Sequence, residues 1–349
     1  ILVLLQQGKL DEARQQMEAM KKSAPKSRST LMAEAGYWFE TKDWKKTLEV
    51  LQEVLKFVPD DPGAVLLSGL SHFQMNSLAQ AEEYLSRAIK VGANTAQARR
   101  VLTVTYLRLG QPAKALETLS PLLETADEDS DLLALAGQVY MQNGQPKKAE
   151  GYFARASALD PNDMAKKTSL ALTHIASGRP DAGLSELERI SAADGGIKAD
   201  MALIASAIRG KDYAKALKAI DVLERKKADD PLPFALRGMV LTAKGDVLAG
   251  RKNYEKALAL KPSYFPAAAS LAALDMRDRK PEDARRRLEG VLAADPKNVL
   301  AMLALAEISG RTGASSDVVS GQISKAIQAA PTSVMARLAL INHHLSIKD

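Results

Sequence analysis

Apolar residues recur along the chain at intervals of three and four, the spacing that gathers them on one face of an α-helix. The stretch from Leu159 to Gly195 illustrates the arrangement, since it holds two such helical segments separated by Gly178. It opens on Asp160-Pro161 and closes on small residues, both of which interrupt helices. The pattern therefore predicts pairs of amphipathic helices joined by tight turns.

The predicted turn between the two helices of a pair recurs at an almost constant interval. Its residue is in turn Gly8, Lys42, Asn76, Gly110, Gly144, Gly178, Lys211, Gly245, Arg279 and Gly313. Successive turns are 34 residues apart, except for Gly178 and Lys211, which are 33 apart. A period of this length indicates an array of structural repeats rather than a set of unrelated domains.

Two further positions keep the same register. A small residue usually enters the second helix five positions after the turn, at Ala13, Ala81, Ala115, Ala149, Gly183, Ala216, Gly250 and Ala284. Thr47 and Val318 depart from this rule. Seventeen positions after the turn, a proline that cannot continue a helix follows at Pro25, Pro59, Pro161, Pro262 and Pro296. The tenth unit has one extra residue before its proline, Pro331.

This 34-residue helix-turn-helix pattern resembles the tetratricopeptide repeat (TPR), and the resemblance covers essentially the whole chain. It implies an all-α solenoid whose helix pairs stack into a right-handed superhelix. We expect one continuous array over residues 1–349, as a fragment of a longer chain. The expected parts are a partial repeat over 1–27, nine repeats over 28–332 that begin near 28, 62, 96, 130, 164, 197, 231, 265 and 299, and a terminal helix over 333–349.

The interval of 33 residues coincides with an altered sequence, Ala192 to Asp200, which contains Gly195 and Gly196. Each glycine weakens helix formation by about 1 kcal/mol relative to alanine. We therefore expect a bend or a loosened helix at this point of the array.

The composition is typical of helices that pack closely. Hydrophobic residues make up 46% of the chain and aromatic residues only 5%, so the core must consist mainly of Ala, Leu, Ile, Val and Met. Such side chains let helix axes approach one another. The absence of cysteine excludes disulfides and thiolate chemistry but leaves the redox compartment open. A net charge of +6 over 349 residues gives little support for a nucleic-acid partner.

The sequence contains no recognisable catalytic or phosphate-binding motif. His72, His174 and His343 occupy the wedge between paired helices where other repeats carry tyrosine, so we interpret them as packed rings. His343 and His344 point about 100° apart on a helix and need a third element to hold a metal. The arginine run 285–287 has no interleaved aromatic residue. We expect a protein that is not an enzyme, with no cofactor, no metal and no nucleic-acid partner.

In the TPR family, positions two, five, nine, twelve and thirteen of each first helix form the inner face. In this chain they are mostly apolar, with several methionines and with arginines at position thirteen, which fits an amphipathic helix or an extended segment with acidic flanks. We predict a groove for protein or peptide partners lined by Met32, Phe39, Leu66, Phe73, Arg100, Leu107, Arg108, Met141, Ile175, Met201, Ile208, Arg209, Met239, Met276, Arg277 and Arg311. Alternatively, position twelve packs against the neighbouring first helix and the arginines only keep the surface soluble.

The segment from Asp229 to Gly313 resembles the long TPR lipoproteins of bacterial PEP-CTERM/exosortase systems. The resemblance rests on the blocks PLP...LRG, KGD, KALALKPSYFPAA and LAADPKN, which occur in this order. It implies a periplasmic or outer-membrane-anchored scaffold of a Gram-negative bacterium, with a role in exopolysaccharide assembly or export and in biofilm or floc formation. It further implies exopolysaccharide machinery as partners and a lipid anchor upstream of Ile1, and it brings no catalytic residues.

Two other hypotheses remain open. The chain could be a cytoplasmic regulatory or sensor module of a larger enzyme or signalling protein, which sequence upstream and downstream would reveal. The arginine edge could instead bind an anionic polysaccharide directly, and such binding would weaken with salt. The opening stretch ILVLLQQGKL is apolar for only five residues and predicts neither a signal peptide nor a membrane span.

Overall fold

The computed structural model describes residues 1–124, 128–193 and 195–346, except for the side chains at positions 2 and 6. Within these ranges the chain forms 21 α-helices and no β-strand. The predicted all-α fold is confirmed. The helices belong to two compact units, Ile1–Gly183 (unit 1) and Leu184–Asp349 (unit 2), and the division falls within one helix.

Unit 1 is a series of helix pairs in which odd-numbered helices come first. They are α1 (Leu2–Gln6), α2 (Leu10–Ser23), α3 (Arg28–Glu40), α4 (Trp44–Phe57), α5 (Pro62–Gln74), α6 (Leu78–Lys90), α7 (Thr95–Arg108), α8 (Pro112–Leu123), α9 (Ser130–Gln142), α10 (Pro146–Leu159) and α11 (Met164–Ala176). The next helix, α12 (Pro180–Ala193), begins in unit 1 and ends in unit 2.

Unit 2 continues the alternation. Its helices are α13 (Lys198–Arg209), α14 (Tyr213–Lys226), α15 (Pro231–Lys244), α16 (Val247–Leu260), α17 (Phe265–Arg277), α18 (Pro281–Ala294), α19 (Val299–Arg311), α20 (Ser316–Ala329) and α21 (Val334–Ser346). Ile197, where a repeat was expected to begin, is the N-cap of α13. The last residues of the expected terminal helix, 347–349, lie outside the described residues.

Short polar side chains fix the starts of many helices. In α5, for example, the Asp61 carboxylate accepts a hydrogen bond from the backbone N–H of Ala64 at 2.9 Å. Pro62 then occupies the first helical position, where its missing N–H costs nothing. Asp129 and Asp163 cap α9 and α11 in the same way. The helix boundaries therefore follow from local sequence chemistry.

The turn inside each pair requires a residue with positive φ. Glycine supplies it in most pairs, as at Gly110 and Gly144, both with φ of 69°. Four turns use a residue with a side chain instead, namely Lys42, Asn76, Lys211 and Arg279, with φ between 56° and 62°. The same backbone shape is thus reached in these turns without glycine.

The small residues after each turn lie where paired helices touch. Ala81, Ala115 and Ala149 have no exposed surface. A Cβ atom added to Gly183 would lie 2.4 Å from the carbonyl oxygen of Ala171. The helices approach so closely because these side chains are minimal, and the cores of both units form around these contacts.

The tenth unit differs from our expectation at this position. The equivalent of the small residue is Val319, which is buried, whereas Val318 is exposed. The extra residue of this unit lies in its turn, because α20 begins three residues after Gly313 while α8 begins two residues after Gly110. Counting past the insertion moves the register from Val318 to Val319, so the tenth unit still has a valine where most units have a small residue.

The expected irregularity lies between α12 and α13. Gly195 and Gly196 are in a bend outside both helices, and Asp194 lies outside the described residues. The Lys226 ammonium group donates to the carbonyl oxygens of Ser191 and Gly196 at 2.7 and 3.2 Å, and to the carboxylate of Asp200 at 2.7 Å. Within unit 2, this lysine of α14 therefore fixes both sides of the bend.

Candidate partner-binding groove

An open groove of about 800 Å³ lies on the inner face of unit 1. Three of the predicted residues line it, Met32 and Phe39 from α3 and Leu66 from α5. The other lining residues are Ile1, Val3, Leu5, Gln16, Met20, Ser29, Ala33, Gly36, Glu40, Gly63, Leu67, Leu70 and Gln97. We call this surface the unit-1 groove, and most of its lining is apolar.

Two features give the unit-1 groove its depth. Gly36 and Gly63 contribute no side chain to it, and a Cβ atom on Gly63 would lie 3.0 Å from the Met32 methyl carbon. The second helix α2 also contributes Gln16 and Met20 to the lining. The predicted first-helix positions do not include Gln16 and Met20, because both residues lie on a second helix.

The unit-1 groove carries a carboxylate rather than an arginine edge. Glu40 is exposed and is the one charged side chain among the lining residues. Arg100 is bound to Asp129 in an ion pair, and Arg108 lies over the ring of Phe73, 4.4 Å from its centroid. Position thirteen already showed Glu40 in the sequence, but our prediction considered only the arginines.

The predicted position-twelve residues of unit 1 differ in how much surface they offer. Leu107 is 9% exposed and belongs to the hydrophobic core, so it has almost no surface left for a partner. Phe73, Met141 and Ile175 are half-buried, and Phe73 packs against the same core. For Leu107, packing against neighbouring helices describes the contacts better than a place in a groove.

The predicted residues of unit 2 lie on several different helices of its inner face. Met201 and Ile208 are half-buried on α13, beside the exposed Arg209. Met239 is exposed on α15 and Met276 is half-buried on α17.

The remaining arginines of the predicted edge have acidic neighbours. Arg277 contacts Asp278 at 3.5 Å and Arg311 contacts Glu307 at 3.7 Å.

A cleft of about 470 Å³ lies near the C-terminal end of unit 2. It is lined by Phe265, Leu300, Leu303, Ala304, Ala306, Glu307, Val319, Ile323, Met335, Ala339, Asn342 and His343. The predicted residues of unit 2 do not line this cleft.

His72 has the environment of a packed ring, whereas His343 lines the cleft of unit 2. His72 stacks on Tyr84 with ring centroids 5.4 Å apart, and burial lowers the pKa of His72. His343 lies within hydrogen-bond distance of the Ser316 hydroxyl at 3.1 Å. Among the described residues, no group of three or more His, Asp and Glu side chains is arranged to hold a metal ion.

The side chains of the arginine run 285–287 contact acidic and polar groups of unit 2. Arg286 pairs with Asp283, and Arg285 donates to the Ser309 hydroxyl at 2.9 Å. Arg287 contacts Glu255 at 3.2 Å. The positive charge of this run is therefore largely offset by neighbouring groups of unit 2.

Two segments of the chain match family models of the tetratricopeptide repeat, residues 106–167 and residues 268–333. This chain carries tetratricopeptide repeats. One matched segment lies in each unit, so both units of the TPR chain contain recognised repeats. TPR repeats typically form non-catalytic scaffolds that bind peptides or proteins, and no enzyme family is indicated. None of the curated proteins matches the chain.

Several solved structures of repeat proteins are similar to the chain at low identity and with TM-scores below 0.5. A tetratricopeptide repeat protein from Parabacteroides merdae has a TM-score of 0.49 and 14% identity, over 71% of the TPR chain and 98% of its own. YrrB, a TPR protein with an unusual peptide-binding site, has a TM-score of 0.46 and 16% identity, over 50% and 90%. A chain of the APC/C hetero-tetramer Cut9-Hcn1 has a TM-score of 0.40 and 14% identity, over 96% and 66%, so the TPR chain spans just under two thirds of its length.

None of the described helices combines the length and the apolar character needed to span a membrane.

Proposed function

We propose that this protein is a non-enzymatic interaction scaffold in which the unit-1 groove captures an extended segment of a partner protein. The observation that carries the proposal is the groove itself, an open and mostly apolar surface on the inner face of a TPR unit. An apolar surface that faces solvent between first helices is typical of a binding site rather than of a core.

The affinity of such a site comes from a few buried side chains. Each apolar side chain that a partner buries fully gains about 1.5–3 kcal/mol. Met32, Phe39 and Leu66 can surround two or three such side chains, and association costs about 4–15 kcal/mol in lost freedom. Because the gain and the cost are of similar size, we expect weak binding for a single segment, with methionine adapting to different partners.

We further propose a cellular setting, periplasmic or anchored to the outer membrane of a Gram-negative bacterium. There the scaffold would hold components of exopolysaccharide assembly or export and support biofilm or floc formation. This part of the proposal is supported by the resemblance of Asp229 to Gly313 to the PEP-CTERM/exosortase TPR lipoproteins. Fractionation of the native cells tests it, because recovery of the protein in the cytosol would support a regulatory module instead.

The groove is tested with a paired substitution. Met32→Gln with Leu66→Gln keeps side-chain size but makes the groove polar, so peptides selected on the wild-type protein from a random library should bind at least tenfold more weakly, a loss of about 1.4 kcal/mol. Fluorescence anisotropy measures the dissociation constants.

The matched control is Phe57→Gln with Leu159→Gln, which changes two exposed apolar residues that do not line the groove. Circular dichroism confirms equal helix content in both variants. Peptides that bind the groove variant and the control equally well would show that the unit-1 groove is not the binding site.

A further inference from the structure

One edge of the inner face of unit 1 changes its charge from repeat to repeat. Position thirteen is Glu40 in α3, Gln74 in α5 and Arg108 in α7. Glu40 and Arg108 are both exposed, and neither has an ion-pair partner in the described part of the chain. The edge therefore presents an available negative charge at one end and an available positive charge at the other.

Other charges close to this edge are already paired. Arg100, also at an inner-face position of α7, is bound to Asp129. Arg28, at the start of α3, is bound to the buried Asp61. A partner that lies along the inner face of α3, α5 and α7 therefore meets Glu40 and Arg108 as the available charges.

Apolar side chains of α5 lie beside the edge that carries these two charges. Leu66 and Leu70 line the unit-1 groove on α5. Phe73, next to Gln74 at the end of α5, supports the guanidinium group of Arg108 through a cation–π contact. The order along the edge is thus carboxylate, amide, guanidinium, with apolar surface beside the amide.

The spacing sets the length of a matching segment. Packed helices are about 8–10 Å apart, so two steps from α3 to α7 cover about 16–20 Å. An extended chain advances about 3.3 Å per residue, and five or six residues cover this distance.

We propose that the unit-1 groove selects a bipolar segment, with a basic side chain at Glu40, apolar side chains over α5 and an acidic side chain five or six residues away at Arg108. This inference rests on the proposed function and adds the charge and the orientation of the bound segment. It replaces the acidic flanks at both ends that the arginines suggested in the sequence. Complementary charges at the rim fix the register more than they raise the affinity.

The test uses four seven-residue peptides with blocked ends and a common Ser-Leu-Ser-Phe-Ser centre, which in an extended chain places both apolar side chains on the same face as the two end residues. Their end residues are Lys and Glu, Lys and Lys, Glu and Glu, or Gln and Gln. Exposed ion pairs change affinity by about two- to fivefold each at low salt, so the Lys/Glu peptide should bind about 4- to 25-fold tighter than the Gln/Gln peptide. The difference should shrink in 0.5 M salt because the charges are screened.

Charge reversal in the protein should reorder the peptides. Glu40→Lys leaves two positive ends and should favour the Glu/Glu peptide, whereas Arg108→Glu leaves two negative ends and should favour the Lys/Lys peptide. Glu49→Lys and Lys147→Glu are the matched controls, since both residues are exposed, have no ion-pair partner in the described part of unit 1 and lie on second helices away from the groove. The controls should keep the wild-type order.

The possible results separate the two proposals. Equal binding of all four peptides, weakened by the paired substitution of Met32 and Leu66, would overturn the bipolar selection and leave the groove as a binding site. Failure of all four peptides to bind would overturn both proposals. A reordering by Glu40→Lys and Arg108→Glu, but not by the controls, would support bipolar selection.

Discussion

At the scale of single residues, the contact between paired helices depends on residues that have no side chain or a very small one. Gly183 approaches the backbone of Ala171 so closely that even a methyl group has no room. Gly151, by contrast, is exposed on α10 and has no neighbour within 4 Å of an added Cβ atom. Two helical glycines of unit 1 therefore have opposite roles, one required by packing and one free to change.

Substitution by alanine should separate these roles. Gly183→Ala should lower the free energy of unfolding by about 1–3 kcal/mol because the new methyl group overlaps a carbonyl oxygen. Gly151→Ala should raise it by about 0.5–1 kcal/mol because alanine loses less conformational freedom in a helix. Urea unfolding followed by circular dichroism measures both, and a shift of the same sign for the two variants would contradict this account of the packing.

The sequence predicts buried contact positions well where a residue of the same size recurs in each repeat. The small positions at Ala81 and Ala115 and the wedge position of His72 follow from periodicity, since each repeat places the same contact at the same count. The burial of Leu107, the pairing of Arg100 and the availability of Glu40 depend on neighbours in other repeats. A single repeat does not encode those distances, so the candidate groove could be only partly predicted.

At the scale of helices, aspartate N-caps bind basic side chains as well as backbone N–H groups. Burial alone would raise the pKa of Asp61, but hydrogen bonds from Arg28 and from Ala64 outweigh it and hold that pKa below its ordinary value. The hydrogen bond from Arg100 lowers the pKa of Asp129 in the same way. The starts of α5 and α9 are therefore stabilised by ionised carboxylates.

This arrangement predicts a pH dependence. A carboxylate with a lowered pKa stabilises the fold above its unfolded pKa of about 3.9 and loses that contribution as the pH falls through the folded value. Asp61→Asn should therefore lower the midpoint of thermal unfolding by a few degrees at pH 7, and the difference from wild type should shrink below about pH 4. Asp229→Asn, at an exposed residue with no ion pair in the described part of the chain, is the control. A difference for Asp61→Asn that grows in acid would contradict the assignment.

Helix ends are predictable from sequence because caps, prolines and turn residues act locally. The extra residue of the tenth unit shows the limit of counting. Its proline, Pro331, reveals the insertion, but only the start of α20 at Ser316 shows that the insertion lies in the turn. The bend at Gly195 and Gly196 was expected from helix propensity. The hydrogen bonds that Lys226 donates on both sides of the bend were not expected, because they depend on the position of α14.

At the scale of the whole molecule, described contacts within each unit join helices that are neighbours or next neighbours along the chain. Stability in such a repeat array is close to a sum of local terms, and a local defect has mainly local effects. Asp275 offers a test in unit 2, since it is almost fully buried and binds Arg251 at 2.5 Å and Arg287 at 3.5 Å.

Removal of this buried charge should loosen one part of the molecule only. Asp275→Asn leaves Arg251 without its buried partner and should destabilise α16 to α18 by about 2 kcal/mol. Hydrogen exchange measured by mass spectrometry should become faster in these helices and stay unchanged in α3 to α9. Asp278→Asn, which removes a more exposed partner of Arg251, should have a smaller effect. Faster exchange throughout both units would contradict local coupling.

Fold and function differ in how far the sequence determines them. Ten turns in register identify a TPR chain because repetition multiplies a weak signal. The unit-1 groove combines side chains of α1 and α2 with the glycines of α3 and α5 and with Glu40, and periodicity contains none of these relations. The identity of a partner depends on side chains that differ between repeats. The proposed bipolar segment therefore rests on which charges of neighbouring repeats are exposed and which are paired, and these properties require the structure.

The four turns without glycine have a consequence for how the chain can change over time. Lys42, Asn76, Lys211 and Arg279 hold a left-handed backbone that costs a residue with a side chain about 1 kcal/mol, less for asparagine. Glycine at the lysine and arginine turns would relieve this cost away from the inner face, so the stability of the fold can rise without a change to the groove residues. Heat tolerance and partner choice can therefore evolve separately in this molecule.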